Sequence, residues 1–160
     1  MAAGITYTPI ATITASGSAS ELTFNSISGS YTDLILIFEG NTGTSDEFGI
    51  RVNSDSGNNY SSTWMQGGGA SAESSRYSNV SFATLNYIRS SSRTMSIAHI
   101  QNYSNTTTYK TIVYRTAEPE KTWTGVSLWR NTNAITSVTV RTGNNFSNTT
   151  TVTLYGITAA

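Results

Sequence analysis

The sequence predicts an all-β protein: an antiparallel β-sandwich, jelly-roll-like, of about eight to ten strands. Three observations predict it. Apolar and polar residues alternate in short runs spaced roughly 10–15 residues apart. No stretch combines a helical period with capping residues. Serine, threonine and asparagine number 24, 27 and 14, so 65 of 160 residues are short polar types suited to turns and the outer faces of sheets. The length is that of one domain, so a single sandwich is expected over residues 1–160.

In chain order, Thr8 to Thr14 alternates around Ile10 and Ile13, and Pro9 suggests an edge position or strand start. Glu21 to Asn25 sets Leu22 and Phe24 on one face. Leu34-Ile35-Leu36-Ile37-Phe38 is the longest unbroken apolar run. It is too short to span a membrane and is bordered by Ser30-Tyr31-Thr32-Asp33 and Glu39-Gly40, so it reads as a strand apolar on both faces. Leu34, Leu36 and Phe38 would share one layer and Ile35 and Ile37 the other. One layer meets the domain's own core; the other needs a second cover, such as a neighbouring subunit. Phe48, Ile50 and Val52 point inward from the next strand. Asn53 to Asn59 is a turn cluster, Tyr60 to Gln66 a short strand, and Gly67 to Ser78 a flexible loop or contact arm. Val80 to Ile88 is a ragged strand carrying Val80 and Phe82. Thr94 to Asn102 places Met95, Ile97 and His99 on one face, with Ala98 and Ile100 on the other. Lys110 to Arg115, Thr124 to Trp129, Ile135 to Val140 and Thr151 to Ile157 complete the strands.

Charged residues make up 11%, about half the usual share, and nine basic residues cancel nine acidic ones. A neutral chain without a basic cluster lacks the electrostatic footprint of a nucleic-acid binder and the polybasic patch of a membrane-surface protein. The absence of cysteine removes disulfides, thiolate catalysis and cysteine metal sites. Met1-Ala2-Ala3-Gly4 is not a charged region leading into an apolar core, so no secretory signal is expected and synthesis is assigned to a cytoplasm.

No candidate for chemistry survives comparison with its simpler explanation. His99 is the single histidine and sits mid-strand between Ala98 and Ile100, where a structural role is expected. Asn53-Ser54-Asp55-Ser56-Gly57-Asn58-Asn59 spaces oxygen ligands as calcium loops do, but Trp64 stands where such a loop needs its glutamate. A polar turn is the better reading. Glu118-Pro119-Glu120 reads as an exposed turn, not a glycosidase pair. Gly67-Gly68-Gly69 lacks the lysine of a phosphate loop. The six Asn-x-Ser/Thr triplets, beginning at Asn59, Asn79, Asn102, Asn105, Asn145 and Asn148, follow from composition. Trp129 reads as structural; Trp123, beside a turn, reads as the exposed aromatic that could stack on a sugar. No catalytic residue, cofactor site or metal site is therefore expected, and the chain is not expected to be an enzyme.

Several stretches together resemble small virion proteins of tailed bacteriophages. They are Tyr31-Thr32-Asp33-Leu34-Ile35-Leu36, Arg51-Val52-Asn53-Ser54-Asp55-Ser56-Gly57-Asn58-Asn59-Tyr60-Ser61, Asn102-Tyr103-Ser104-Asn105-Thr106-Thr107-Thr108-Tyr109-Lys110-Thr111, Trp129-Arg130-Asn131-Thr132-Asn133-Ala134-Ile135-Thr136 and Leu154-Tyr155-Gly156-Ile157. Such sequences occur in capsid decoration (cement) proteins and in tail-fibre or head-fibre modules. The resemblance implies a β-sandwich, a homotrimer and a place in the virion, after synthesis in the host cytoplasm. It carries over no catalytic residue. The first expectation is a decoration protein that binds the major capsid protein on the outer capsid surface and stabilises the shell. The alternative is a receptor-binding or fibre-tip domain that stacks Trp123, Tyr77 or Tyr103 on host surface glycans. Neither needs nucleic acid or a membrane. Candidate interface residues are Ile35, Ile37, Tyr77 and Trp123.

Overall fold

The computed structural model describes residues 6–158; the Met1 to Gly4 stretch lies outside the described residues. The chain forms twelve strands in two antiparallel sheets, with no helix among the described residues. They are β1 (Tyr7–Thr14), β2 (Glu21–Phe24), β3 (Asp33–Gly40), β4 (Asp46–Val52), β5 (Tyr60–Gly68), β6 (Ser71–Val80), β7 (Ala83–Ile88), β8 (Thr94–Gln101), β9 (Lys110–Ala117), β10 (Thr122–Trp129), β11 (Val138–Thr142) and β12 (Thr151–Ile157). The small sheet runs β2-β11-β4-β7 and the large one β1-β12-β3-β8-β9-β10-β5-β6. From β2 to β5 successive strands switch sheets, as in a jelly roll, and β7 switches back. The meander β8-β9-β10 is inserted between β3 and β5, which widens the large sheet well beyond the small one.

The core lies between the sheets. Leu34, Leu36 and Phe38 of β3 and Phe48, Ile50 and Val52 of β4 are fully buried there. Phe38 packs against Phe48 at 4.8 Å and Phe146 at 5.9 Å between ring centroids. The β3 layers are those expected from its apolar run: Ile35 and Ile37 face away from this core. Ile35 is nevertheless buried, flanked across the strands by Tyr155 and His99, whereas Ile37 is partly open.

Three expectations need correction. Among the described residues the strand count is twelve, not eight to ten. The difference arises mainly at Gly67 to Ser78, expected as a loop, where β6 pairs along β5 from Ser61↔Ser78 to Gly68↔Ser71. Ser71–Arg76 is exposed on both faces, so nothing demands apolar alternation; the strand is held by its ladder with β5, by the cross-strand bond from Gln66 Nε2 to Glu73 Oε2 at 2.6 Å and, further along, by Tyr77 against Trp64. Gly69, with φ +68°, closes the hairpin in a conformation that favours glycine. Val80 to Ile88 is not one strand. β6 ends at Val80 in the large sheet, Ser81 and Phe82 turn, and β7 starts at Ala83 in the small one.

The edges of the large sheet are protected. β1 carries Pro9 and a register shift between Pro9 and Ala11, and β6 carries Glu73 and Arg76. Both devices discourage further strand pairing at the edge.

Candidate functional site

The outer face of the large sheet is the main open surface. Strand register builds it in rows. Ile35, His99, Val113, Val126 and Thr63 lie across one row; Ile37, Ile97, Arg115, Thr124 and Met65 across the next; Glu39, Met95, Ala117, Thr122 and Gly67 across the third. A shallow depression of about 610 Å³ opens here, lined chiefly by Ile37, Met65, Met95, Ile97, Arg115 and Ala117. Met65 is 59% exposed, Met95 54%, Val126 47% and Ile37 36%. Among the described residues no strand lies over this face. Isolated exposed apolar residues are ordinary, but a contiguous apolar patch marks an interaction surface.

The surface was only half legible in the sequence. In β8, Met95 and Ile97 alternate with Ala98 and Ile100, so both faces of the strand are apolar and only its place in the sheet shows which is covered. In β10 the inward set is Trp123, Gly125, Ser127 and Trp129, while Val126 and Leu128 face outward. Aromatic bulk won the inward side over the aliphatic pair. Met65 had no signal at all, because β5 alternates too weakly to assign its faces.

Of the four candidate interface residues, only Ile35 and Ile37 share this outer face, and only Ile37 is open. Trp123 is not an exposed aromatic: it is 6% exposed, points to the core side, and its Nε1 donates to Gln66 Oε1 at 2.7 Å. Tyr103 is also buried; its hydroxyl donates to the Ser28 carbonyl and accepts from the Tyr31 N–H at 3.3 Å. It anchors a loop and is closed to ligands. Tyr77 lies elsewhere, in a second cleft of about 250 Å³ between β6 and the β7 edge. Glu47, Tyr77, Val80, Phe82 and Thr84 line that cleft.

His99 borders the open face. Its Nε2 lies 2.8 Å from Asp33 Oδ2, and Asp33 Oδ1 accepts from the Asn102 N–H at 2.6 Å. A carboxylate-oriented histidine is two parts of a hydrolytic triad. Its cross-strand neighbours on this face are Ile35 and Val113, neither of which is a nucleophile. The pair ties the start of β3 to the end of β8.

The Asn53–Asn59 turn uses Asp55 as its centre. Asp55 accepts from Gly57 N–H at 2.9 Å, from Asn59 Nδ2 at 2.9 and 3.2 Å, and from Trp129 Nε1 at 2.7 Å. Burial pushes this carboxyl up, but the donors from Trp129, Asn59 and Gly57 outweigh it and hold the group below its ordinary range. The carboxylate oxygens that a calcium ion would need are engaged by protein donors. The left-handed positions of this turn were expected at asparagine and glycine; Asn53 takes one, but the other is Ser54 and not Gly57. Among the described residues no cluster of three or more His, Cys, Asp or Glu side chains is placed to hold a metal ion.

Glu118 is not the exposed turn residue expected. Its side chain is buried and paired with Arg89, which also reaches the exposed Glu120 at 3.2 Å. Arg89 brings the two carboxylates together as a structural brace. Lys110 is buried as well, its Nζ donating to the carbonyls of Thr108 at 2.8 Å and Thr132 at 3.0 Å; burial lowers its pKa. It closes the two loops on either side of it.

Compared with protein-family models, curated proteins and solved structures, the chain finds no match.

Proposed function

We propose that this chain is a structural protein of a bacteriophage particle, a decoration protein that sits on the outer capsid surface as a homotrimer, binds the major capsid protein and stabilises the shell. The observation that carries the reading is the open apolar face of the large sheet, next to a core already complete on the other side of the same strands. Folding alone does not require Met65, Met95 and Val126 to be apolar, whereas docking onto a protein surface does. The virion setting rests on the sequence resemblance.

The mechanism is mass action. A protein that binds only the mature shell stabilises that shell by an amount that grows with the ratio of its free concentration to its Kd. A symmetric trimer presents the same patch three times, so modest contacts add through avidity. The polar character of the remaining faces keeps the free protein dispersed until a capsid surface is met.

Particles stripped of this protein and re-decorated test the reading. Wild-type protein is expected to restore heat and osmotic resistance. The double variant Met65→Asp/Met95→Asp is expected to bind the shell about tenfold less or worse, while keeping a cooperative melting transition. Stripped particles as resistant as decorated ones would refute a cement role. The alternative, a receptor-binding or fibre-tip domain, loses two of its three proposed aromatics because Trp123 and Tyr103 are buried. Binding of the folded protein to stripped particles, against binding to host cells, separates the two readings.

A further inference from the structure

The cleft between β6 and the β7 edge is separate from the open face of the large sheet and has a different character. Its walls are aromatic. Tyr77 comes from β6 and Phe82 from the turn between the strands, with the aliphatic Val80 beside them. Its polar groups are Glu47, from β4, Thr84, from β7, and the Tyr77 hydroxyl. Burial pushes the Glu47 carboxyl up and Asp46 adds to this, while Thr84 and Arg141 act against them. The wall is rigid. Tyr77 meets Trp64 edge-on at 6.1 Å, and Arg141 stacks over Phe82 at 4.5 Å. Trp64 Nε1 and Arg141 Nε are both buried without a hydrogen-bond partner, so unspent donors belong to the two side chains that back the cleft.

We propose that this cleft binds a single ring of a neutral saccharide. A pyranose has an apolar C–H face and a rim of hydroxyls. Aromatic walls take the first, and a carboxyl that faces them takes the second. The volume of about 250 Å³ suits one ring, not a chain of them. An organic cation would also suit aromatic walls beside a carboxylate. Arg141 already acts on Glu47 through its positive charge, however, and disfavours a second cation. An acidic sugar would meet the Glu47 and Asp46 carboxyls and is disfavoured by like charge. The site does not depend on the capsid reading and would operate on a free or an attached molecule.

The test is a nitrogen-15 NMR titration of the full chain with methyl α-D-glucopyranoside, methyl β-D-galactopyranoside and N-acetyl-D-glucosamine, each to roughly tens of millimolar. Choline chloride and sodium N-acetylneuraminate serve as charged comparators. At least one neutral sugar is expected to give saturable shifts in β4, β6 and β7. Tyr77→Ser is expected to weaken that binding about tenfold. Glu47→Gln keeps the shape of the side chain and should weaken it severalfold, which covers the case that Tyr77→Ser does not fold. Tyr109→Ser, at an exposed loop aromatic, should leave it unchanged. Absence of saturable shifts with all three neutral sugars overturns the proposal. So does saturation by choline or neuraminate alone, or binding that Glu47→Gln leaves intact.

Discussion

Asp55 offers a direct measure of how much one turn contributes to this sandwich. Asp55→Ala removes the acceptor of the Trp129 indole N–H at 2.7 Å and the partner of Gly57 N–H at 2.9 Å. Trp129 is 1% exposed, so its N–H is left in the core with nothing to bond. An unpaired buried donor costs about 1–3 kcal/mol. The half-exposed turn bonds to Gly57 and Asn59 add less, about 0.5–1 kcal/mol together, because water replaces them. The sum is about 3 kcal/mol, a large part of a typical domain stability. Urea unfolding followed by tryptophan fluorescence reads it as a lower midpoint at unchanged slope. The pH dependence has a definite sign. The folded-state pKa lies below the ordinary aspartate value of 3.8, so the ionised form is the one the fold favours. Its contribution is present above that ordinary value and is lost as pH falls through the lower folded value. The gap between wild type and Asp55→Ala should therefore be constant near neutrality and narrow only below about pH 4. A gap under about 0.5 kcal/mol at neutral pH would refute the assignment of Asp55 as the centre of the turn.

Two further predictions separate the layers of the large sheet and its tightest approach. Phe38→Ala empties a fully buried site between Phe48 and Phe146 and should cost about 3–5 kcal/mol in urea unfolding, whereas Ile37→Asp, one residue away on the outer face, should cost about 1 kcal/mol and be felt mainly in particle attachment. Equal losses of stability would contradict the assignment of the two faces. Gly125→Ala would place a methyl 2.6 Å from the Tyr114 hydroxyl and 2.8 Å from the Thr63 carbonyl, so a loss of about 1–3 kcal/mol, seen as a lower melting temperature, is expected.

The alternation in β2, β4 and β8 and the unbroken apolar run in β3 were enough to predict an all-β sandwich and to divide β3 into its two layers. These are local properties: a strand's side chains alternate regardless of what it pairs with. The same rule could not find β6, because Ser71–Arg76 has no buried apolar side chain and gains its order from the ladder with β5 and the cross-strand Gln66–Glu73 bond. It also could not tell which face of β8 or β10 is covered, since both faces carry apolar residues and only the narrower small sheet decides. Trp123 beside a turn looked exposed, yet the ladder turns it inward to Gln66. The cleft at Glu47 joins β4, β6, the following turn and β7, strands from both sheets. Composition and periodicity thus determined the class of fold and the two faces of its central strand. The open apolar face, the protected edges and the aromatic cleft depend on which strands become neighbours. That pairing is set by long-range contacts, which no single stretch of sequence contains.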